Sequence, residues 1–180
     1  LAECDPLTNE SVFDLRRLPS RLAIIGAGPI GAELSQAFAR LGSAVTVVSA
    51  EPLLHREDPE AVAVVRRHLA DDGVTLIENA AIASCEREGE GVRLTLGDGR
   101  SVVADRVLVA AGRAPNLDLG LDAAGIRHDK TGIAVDDRLR TSNRRVFAIG
   151  DVNGGLQFTH VAGHQASLVV RAIVFRLPAR

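Results

Sequence analysis

The sequence has no methionine, tryptophan or tyrosine, and its aromatic residues are five phenylalanines. It contains two cysteines, Cys4 and Cys85, which are far apart in the sequence and have no C-x-x-C spacing. Closely spaced cysteines are typical of zinc sites and redox-active dithiols, so we predict neither a metal site nor a redox pair from this chain alone. The lack of methionine and the leading Leu1 predict that the chain is a segment of a longer protein.

Strong charge of one sign and long apolar runs are also missing. The net charge is -2, which gives no reason to expect nucleic acid or an anionic membrane as a partner. No apolar run approaches the roughly 20 residues that span a bilayer, and no secretory leader pattern is present. Because 46% of the residues are hydrophobic, the chain can bury a core. These features predict a globular, cytoplasmic protein.

The most informative stretch is RLAIIGAGPIGAELSQAFARL at 21–41. Residues 22–25 form an apolar run typical of a buried parallel strand, and apolar residues then recur at helical spacing. Gly26, Gly28 and Gly31 stand between the two. In such a turn the first glycine permits a sharp bend, the second lets the backbone approach a pyrophosphate, and the third lets the helix pack closely. We therefore predict a dinucleotide site, with a purely structural tight turn as the alternative.

The following pattern extends this unit into an α/β fold. Strands are predicted at 44–48 and 74–77, on either side of a helix that begins at Asp58-Pro59-Glu60 and ends at Asp72-Gly73. This order predicts a Rossmann-like parallel sheet covered by helices. Short strands at 82–87, 92–96 and 101–103 predict an antiparallel β-meander, and residues 106–110 return to the parallel sheet. The predicted domain covers 20–112 and follows a lead-in linker at 1–19.

Three segments, in order, resemble the pyridine nucleotide-disulfide oxidoreductases, a family of FAD-dependent enzymes. They are GAGPIGAELSQAFARLGSAVTVV at 26–48, VLVAAGRAPN at 107–116 and TSNRRVFAIGDV at 141–152. REDPE at 56–60 and FTHVAGHQA at 158–166 are similar to the mercuric reductase-like and dihydrolipoamide dehydrogenase-like branch. In this family an NAD(P) domain interrupts an FAD domain. The resemblance thus implies that 113–180 is an incomplete, C-terminal segment of the FAD domain.

The resemblance implies hydride transfer between NAD(P)H and FAD, with electrons passed to a disulfide and a small acceptor. It places the C-x4-C pair, the rest of the FAD domain and the dimerisation domain outside this chain. The intact protein would be a homodimer, and this fragment would hold no catalytic residue. Two alternatives stay open: a non-catalytic NAD(H)-sensing module, and a related flavin NADH oxidase or ferredoxin reductase. The acceptor also stays open among mercuric ion, lipoamide, another disulfide and a quinone.

The resemblance assigns the pyrophosphate of NAD(P) to the backbone of Gly26, Gly28, Pro29, Ile30 and Gly31. Pro29 stands where some members carry a tyrosine gate. Glu33 matches an acid in the first turn of the helix, close to nicotinamide and flavin. The alternative for Glu33 is an acid that only stabilises the helix N-terminus.

We expect residues at the end of the second strand to determine whether NAD or NADP binds. An NAD enzyme usually has an acid there that binds the ribose hydroxyls, whereas an NADP enzyme has arginines that bind the 2′-phosphate. Ser49 occupies the position of the acid. Ala50 replaces the first arginine of NADP-using members, and Arg56 matches the second. Glu51 is close enough to bind a ribose or to repel a phosphate, so both nucleotides stay open.

The remaining nucleotide contacts implied by the resemblance involve Ile82, Gly112 and Arg113. Ile82 would touch adenine through its backbone, although an isoleucine in a strand also fits a core position. Gly112 would allow close backbone approach near the nicotinamide. Arg113 has the alternative of a solvated or domain-bridging charge.

Asp151 follows a strand predicted at 146–149, and in this family the aspartate accepts hydrogen bonds from the FAD ribityl chain. Its alternative is to cap the helix near residue 160. Thr159 would place its backbone near the isoalloxazine. We interpret the Arg66-Arg67-His68 cluster as a solvated helix face. Without the rest of the FAD domain, we expect apolar surface in 114–180 to lack its usual cover, with disorder, pairing to another copy or altered packing as the result.

Overall fold

Four parallel strands form the central sheet of the first part of the chain, in the order β3-β2-β1-β7. Their bounds are Arg21–Ile25 for β1, Ala44–Val48 for β2, Thr75–Ile77 for β3 and Arg106–Val109 for β7. The computed structural model describes residues 4–177. The chain divides into two units, Leu1–Gly112 and Arg113–Arg180. In β1, Leu22 pairs with Val45 of β2 on one side and with Arg106 of β7 on the other. The predicted parallel sheet is confirmed.

Two helices belong to this sheet, and the second begins where the sequence predicts. Helix α1 spans Pro29–Arg40, and α2 spans Pro59–Asp71. Pro29 and Pro59 each occupy the first helical turn, where a missing N–H removes no helical hydrogen bond. The Asp58 carboxylate caps α2 by accepting the Glu60 N–H at 2.8 Å. The side chains that fill the core of this layer include Leu22, Ile24, Val47, Leu53, Leu69 and Leu108.

The predicted β-meander is also confirmed, as a separate three-stranded antiparallel sheet. It comprises β4 at Ile82–Glu88, β5 at Gly91–Leu96 and β6 at Ser101–Ala104. One face packs on the parallel sheet, because Val92 and Leu94 share a core cluster with Ala23 and Val107. The meander thus covers one side of β1 and β7.

The beginning of the described chain packs into the first unit. The Leu7 N–H donates to the Val107 carbonyl at 2.7 Å, and the Val109 N–H donates to the Leu7 carbonyl at 2.9 Å. Leu7 thus lies alongside β7, and Val12 is buried in a short 3₁₀ helix, Val12–Asp14. Residues of the predicted lead-in linker therefore contribute to the core.

The second unit has little regular structure apart from one helix, α3, at Thr159–Val174. Two short strands, β8 at His128–Asp129 and β9 at Gly132–Ile133, pair with each other, and a 3₁₀ helix covers Gly150–Asn153. The prediction of a strand at 146–149 is wrong. Phe147 makes only an isolated bridge to Arg140. The Val146 N–H instead donates to the Asn143 carbonyl in a tight turn, which ends the pairing on that side.

Apolar side chains of α3 are largely exposed, although the second unit has a small core. That core consists of Leu121, Ile126, Ile133 and Ala148. In α3, Val169 is buried, whereas Ile173 and Val174 are 60% and 63% exposed. The expected uncovered apolar surface is therefore present on α3. Within residues 4–177, none of the helices has the length and apolar character required to cross a membrane.

Candidate functional site

Gly26 and Gly31 are required by the fold itself at the carboxyl end of β1. Gly26 has a φ of +108°, and a Cβ there would lie 2.5 Å from the Ala110 carbonyl oxygen. A Cβ on Gly31 would collide with the Gly26 carbonyl oxygen. These two glycines let the chain turn sharply next to β7 and let α1 pack closely on that turn.

Gly28 differs from both, because the packing of the protein does not explain it. Its φ of -75° suits any residue, and a Cβ there would meet no atom of residues 4–177 within 4 Å. The first backbone bond of α1 runs from the Ala32 N–H to the Gly28 carbonyl at 2.9 Å. The Ile30 and Gly31 N–H groups precede that bond, and Pro29 has no N–H. The turn therefore presents open space in front of a helix N-terminus, which suits a phosphate group.

Glu33 does not lie in the first turn of α1, so that part of its prediction is wrong. The helix begins at Pro29, which makes Glu33 the fifth helical residue. Its side chain is exposed. An acid at this position is one turn beyond the free N–H groups that a helix-stabilising carboxylate would face.

The loop after β2 is hydrogen-bonded to the glycine turn. The Gly26 N–H donates to the Val48 carbonyl at 2.8 Å, and the Leu54 N–H donates to the Ala27 carbonyl at 2.9 Å. Ser49 is buried, and its hydroxyl oxygen accepts the Glu51 N–H at 3.2 Å. The side chain at the predicted position of the ribose-binding acid is thus engaged by its own loop.

The other two residues of the predicted ribose-binding region are on the surface. Ala50 and Arg56 are both exposed. The Arg56 Nε donates to His55 Nε2 at 3.3 Å, so the guanidinium has no carboxylate partner among the described residues. An exposed cation at this point is compatible with a phosphate ligand.

Glu78, which was not predicted as a site residue, is hydrogen-bonded to this loop. Glu78 follows β3, and its Oε1 accepts the Leu53 N–H at 2.6 Å. The Arg66 guanidinium donates to both Glu78 oxygens, at 2.8 Å to Oε1. Hydrogen bonding from Arg66 holds the pKa of Glu78 below its usual value, and the same pair raises the pKa of Arg66. On the helix face interpreted as solvated, Arg67 and His68 are exposed, whereas Arg66 is 41% exposed and paired with Glu78.

Ile82 and Gly112 lie at two further strand ends of the first unit. The Ala80 N–H donates to the Ser49 carbonyl at 2.9 Å, which brings the start of β4 next to the end of β2. The Ile82 side chain packs against core clusters, as its core alternative predicts. Gly112 has a φ of +142° and is exposed, so its conformation favours glycine.

Arg113, Asp151 and Thr159 belong to the second unit. The Arg113 Nη1 donates to Asp151 Oδ2 at 2.9 Å and to the Gln157 carbonyl at 3.2 Å. Helix α3 begins at Thr159 with Phe158 at the N-cap, so the alternative of Asp151 as the cap is wrong. Both charged side chains of the Arg113–Asp151 pair are over a third exposed, so the pair contributes little to stability.

Residues 2–166 match the family described as pyridine nucleotide-disulphide oxidoreductase. The chain belongs to this family. A mercuric reductase from Bacillus cereus is 38% identical in an alignment of 177 residues that covers 95% of this chain and 28% of that protein. A dihydrolipoyl dehydrogenase from Staphylococcus aureus is 34% identical and is matched over 93% of this chain and 37% of its own length.

Two solved structures show the same fold. The HOCl-induced flavoprotein disulfide reductase RclA from Escherichia coli has a TM-score of 0.89 and 32% identity, over 95% of this chain and 40% of that chain. LpdA from Mycobacterium tuberculosis has a TM-score of 0.88 and 34% identity, over 100% of this chain and 41% of its own. The predicted family and fold class are confirmed. The chain spans about a third of the length of the curated relatives that it matches.

The two cysteines of this pyridine nucleotide-disulphide oxidoreductase chain are close in space, although the sequence separates them widely. Both are free thiols buried in the core cluster that joins the meander to the parallel sheet. The pKa of Cys85 is raised to about 12, chiefly because the thiol is buried and secondly because it forms a hydrogen bond with the Cys4 thiol. A thiol with so high a pKa is a poor nucleophile at neutral pH. Residues 4–177 contain no cluster of three or more metal-ligating side chains.

Proposed function

We propose that residues 20–112 form an NAD(P)-binding domain and that residues 113–180 are the returning segment of an FAD-binding domain. The observation that carries this proposal is the contrast among the three glycines. Packing explains Gly26 and Gly31, whereas Gly28 faces open space at the start of α1. A pyrophosphate close to the backbone accounts for a glycine that the protein's own packing does not require.

The nucleotide would lie along the edge where the carboxyl ends of β1, β2 and β7 meet. In this arrangement the Ile30 and Gly31 N–H groups donate to the pyrophosphate. The adenosine would extend over the end of β2 and the nicotinamide towards the end of β7. The residues proposed to contact the adenosine are Ser49, Ala50, Arg56 and Ile82, and those proposed near the nicotinamide are Glu33 and Gly112.

In the second unit, Asp151 is the residue proposed to bind FAD. Its carboxylate is 40% exposed, and one oxygen is oriented by Arg113. An exposed carboxylate held in this way can accept hydrogen bonds from the hydroxyl groups of the ribityl chain. The Thr159 backbone would lie near the ring system. A bound flavin supplies a two-electron acceptor for the hydride of the reduced nicotinamide.

The whole protein would then be an FAD-dependent oxidoreductase. NAD(P)H would supply a hydride and FAD would accept it. The two electrons, together with protons, would reduce a disulfide to two thiols, and the disulfide would form again when these thiols reduce a small-molecule acceptor. The disulfide, the rest of the FAD domain and a dimerisation domain would be supplied outside this chain, in a homodimer. The present chain alone would bind nucleotide without turnover.

Calorimetric titration with NADH and NADPH tests the nucleotide proposal directly. We expect one or both to bind the 180-residue chain. In Gly28→Ala the added methyl group occupies space proposed for the pyrophosphate, so affinity should fall by about tenfold or more while the unfolding midpoint changes little. Gly163→Ala is the matched control, because Gly163 also faces open space but lies in α3.

Two results would contradict the proposal. One is the absence of binding of either nucleotide at millimolar concentration. The other is equal nucleotide affinity of Gly28→Ala and Gly163→Ala. A longer protein that contains the remaining FAD domain separates the flavoenzyme from the NAD(H)-sensing alternative, because the flavoenzyme should retain FAD and the sensor should not.

A further inference from the structure

We propose that Glu78 is a positioning residue for the nucleotide site. Fixed by Arg66, it would hold the loop after β2 at Leu53 and thereby align residues 49–52, which face the adenosine ribose. This inference rests on the proposed nucleotide-binding function. In this role the Glu78 carboxylate positions the loop after β2 and does not itself touch the ligand.

The Glu78 carboxylate accepts hydrogen bonds from a backbone N–H and from a guanidinium. The Leu53 N–H is buried within the loop and donates to Glu78 Oε1 at 2.6 Å. The Arg66 guanidinium donates to both oxygens of the same carboxylate. A two-pronged contact of this kind fixes the plane of the carboxylate as well as its position. Three elements, β3, α2 and the loop after β2, are thus joined at one side chain.

The loop that Glu78 holds is also hydrogen-bonded to the glycine turn. Leu54, the next residue of the loop, donates its N–H to the Ala27 carbonyl at 2.9 Å, between Gly26 and Gly28. Consecutive N–H groups of one loop therefore bond to Glu78 and to the predicted pyrophosphate turn. Any shift of the loop at Leu53 would therefore change the ribose-binding loop and the pyrophosphate turn together.

Leu54 in this loop has an unusual backbone conformation. Its φ is +48°, in the left-handed region that a leucine rarely occupies. Such a residue keeps this conformation when its surroundings hold it there. Here the restraints are the hydrogen bonds of Leu53 and Leu54, together with the Leu53 side chain, which is 1% exposed. Loss of Glu78 would remove one restraint and allow the loop to relax away from the ribose position.

The test compares Glu78→Ala with Glu78→Gln in the 180-residue chain, by calorimetric titration with NADH and with ADP-ribose. We expect Glu78→Ala to weaken both ligands by about tenfold. Both should be affected equally, because ADP-ribose retains the adenosine ribose and lacks the nicotinamide. Glu78→Gln keeps an oxygen that can accept the Leu53 N–H but loses the two-pronged contact with Arg66, so it should weaken both ligands by only several-fold, less than Glu78→Ala does. If Glu78→Ala does not fold, Arg66→Lys replaces it, since loss of the two-pronged contact should still weaken both ligands several-fold.

Asp105→Ala is the matched control for a merely structural effect. The Asp105 carboxylate also accepts a backbone N–H, from Arg21 at 2.8 Å, and a guanidinium, from the same residue at 2.7 Å. It lies at the amino end of β1, away from the proposed nucleotide edge. This variant should lose thermal stability but bind NADH within about twofold of the unsubstituted chain.

The outcomes separate the two proposals. If the unsubstituted chain binds neither NADH nor NADPH, the proposed function fails and the inference fails with it. If the unsubstituted chain binds NADH and Glu78→Ala binds it equally well, the positioning role alone is overturned. A loss for NADH without a loss for ADP-ribose would also overturn it, and so would equal losses in Glu78→Ala and Asp105→Ala.

Discussion

The two units of the chain differ in how they enclose their apolar residues. In the first unit, β1 lies between two strands, with helices packed on one face of the sheet and the meander on the other. In the second unit, the strands are two residues long, and Ile173 and Val174 at the end of α3, with Phe175 after it, are 60% or more exposed. A layered α/β unit covers its own sheet, whereas the second unit has a helix without a matching layer.

This contrast bears on the proposed division of the chain. A domain formed by one continuous stretch can complete its core within that stretch. A segment that supplies only part of a domain leaves surface for the rest of that domain to cover. The exposed α3 and the enclosed β1 are consistent with the proposed assignment of the units to an inserted NAD(P) domain and a returning FAD segment.

The largest expected effect comes from separating the two units. Residues 1–112 expressed alone should unfold in one cooperative urea transition, because their core clusters lie within that stretch. Residues 113–180 alone should show no cooperative transition and should bind the dye ANS, because their core is small. Circular dichroism and dye fluorescence measure both. A sharp cooperative transition for 113–180 without dye binding would remove the distinction between the units.

A smaller effect is expected when the same substitution is made in a helix of each unit. Gly31→Ala places a methyl group against the Gly26 carbonyl and should lower the free energy of unfolding by about 3 kcal/mol or more. Gly163→Ala in α3 meets open space and should be neutral or stabilising by up to about 1 kcal/mol. Urea denaturation of the 180-residue chain measures both values. Similar losses at the two positions would contradict the packing difference.

The smallest expected effect is the acid sensitivity of the first unit. The pKa values of Glu78 and Asp105 lie below their ordinary values of 4.5 and 3.8, chiefly because arginine side chains donate hydrogen bonds to them. Each carboxylate therefore stabilises the fold above its ordinary pKa, and this contribution is lost as the pH falls through the lowered value. Glu78→Gln and Asp105→Asn should each reduce the loss of stability between pH 5 and pH 3. An unchanged pH dependence in both variants would contradict the two ion pairs as its source.

Local patterns predicted most of the first unit. Strands β1, β2 and β7 are apolar runs bounded by glycine or polar residues, and Asp58 followed by Pro59 marks the start of α2. These signals lie within a few residues of the structure that they determine. The second unit was predicted less well because the apolar run at 146–149 depends on a neighbouring strand, and a sequence pattern does not show which segment that would be.

Side-chain partners were predicted least well. Arg66 and Glu78 are on different elements, so neither spacing nor composition indicates that they meet. Cys4 and Cys85 come together because the first described residues lie beside β7, and this packing was not visible in the sequence either. The roles of Gly28, Ser49 and Asp151 stay predictions, since they concern ligands and not the fold.

The position of β1 between β2 and β7 has a consequence for the order of folding. During synthesis β2 follows β1 closely, but α2 and the whole meander must emerge before β7 reaches the other side of β1. Until then one edge of β1 has free N–H and C=O groups, which can pair with another chain. The central strand of the first unit is among the first to be synthesised and is completed only when the last strand arrives. The sheet of the first unit can therefore close only after its last strand has been synthesised, and long-range pairing of this kind slows folding relative to local pairing.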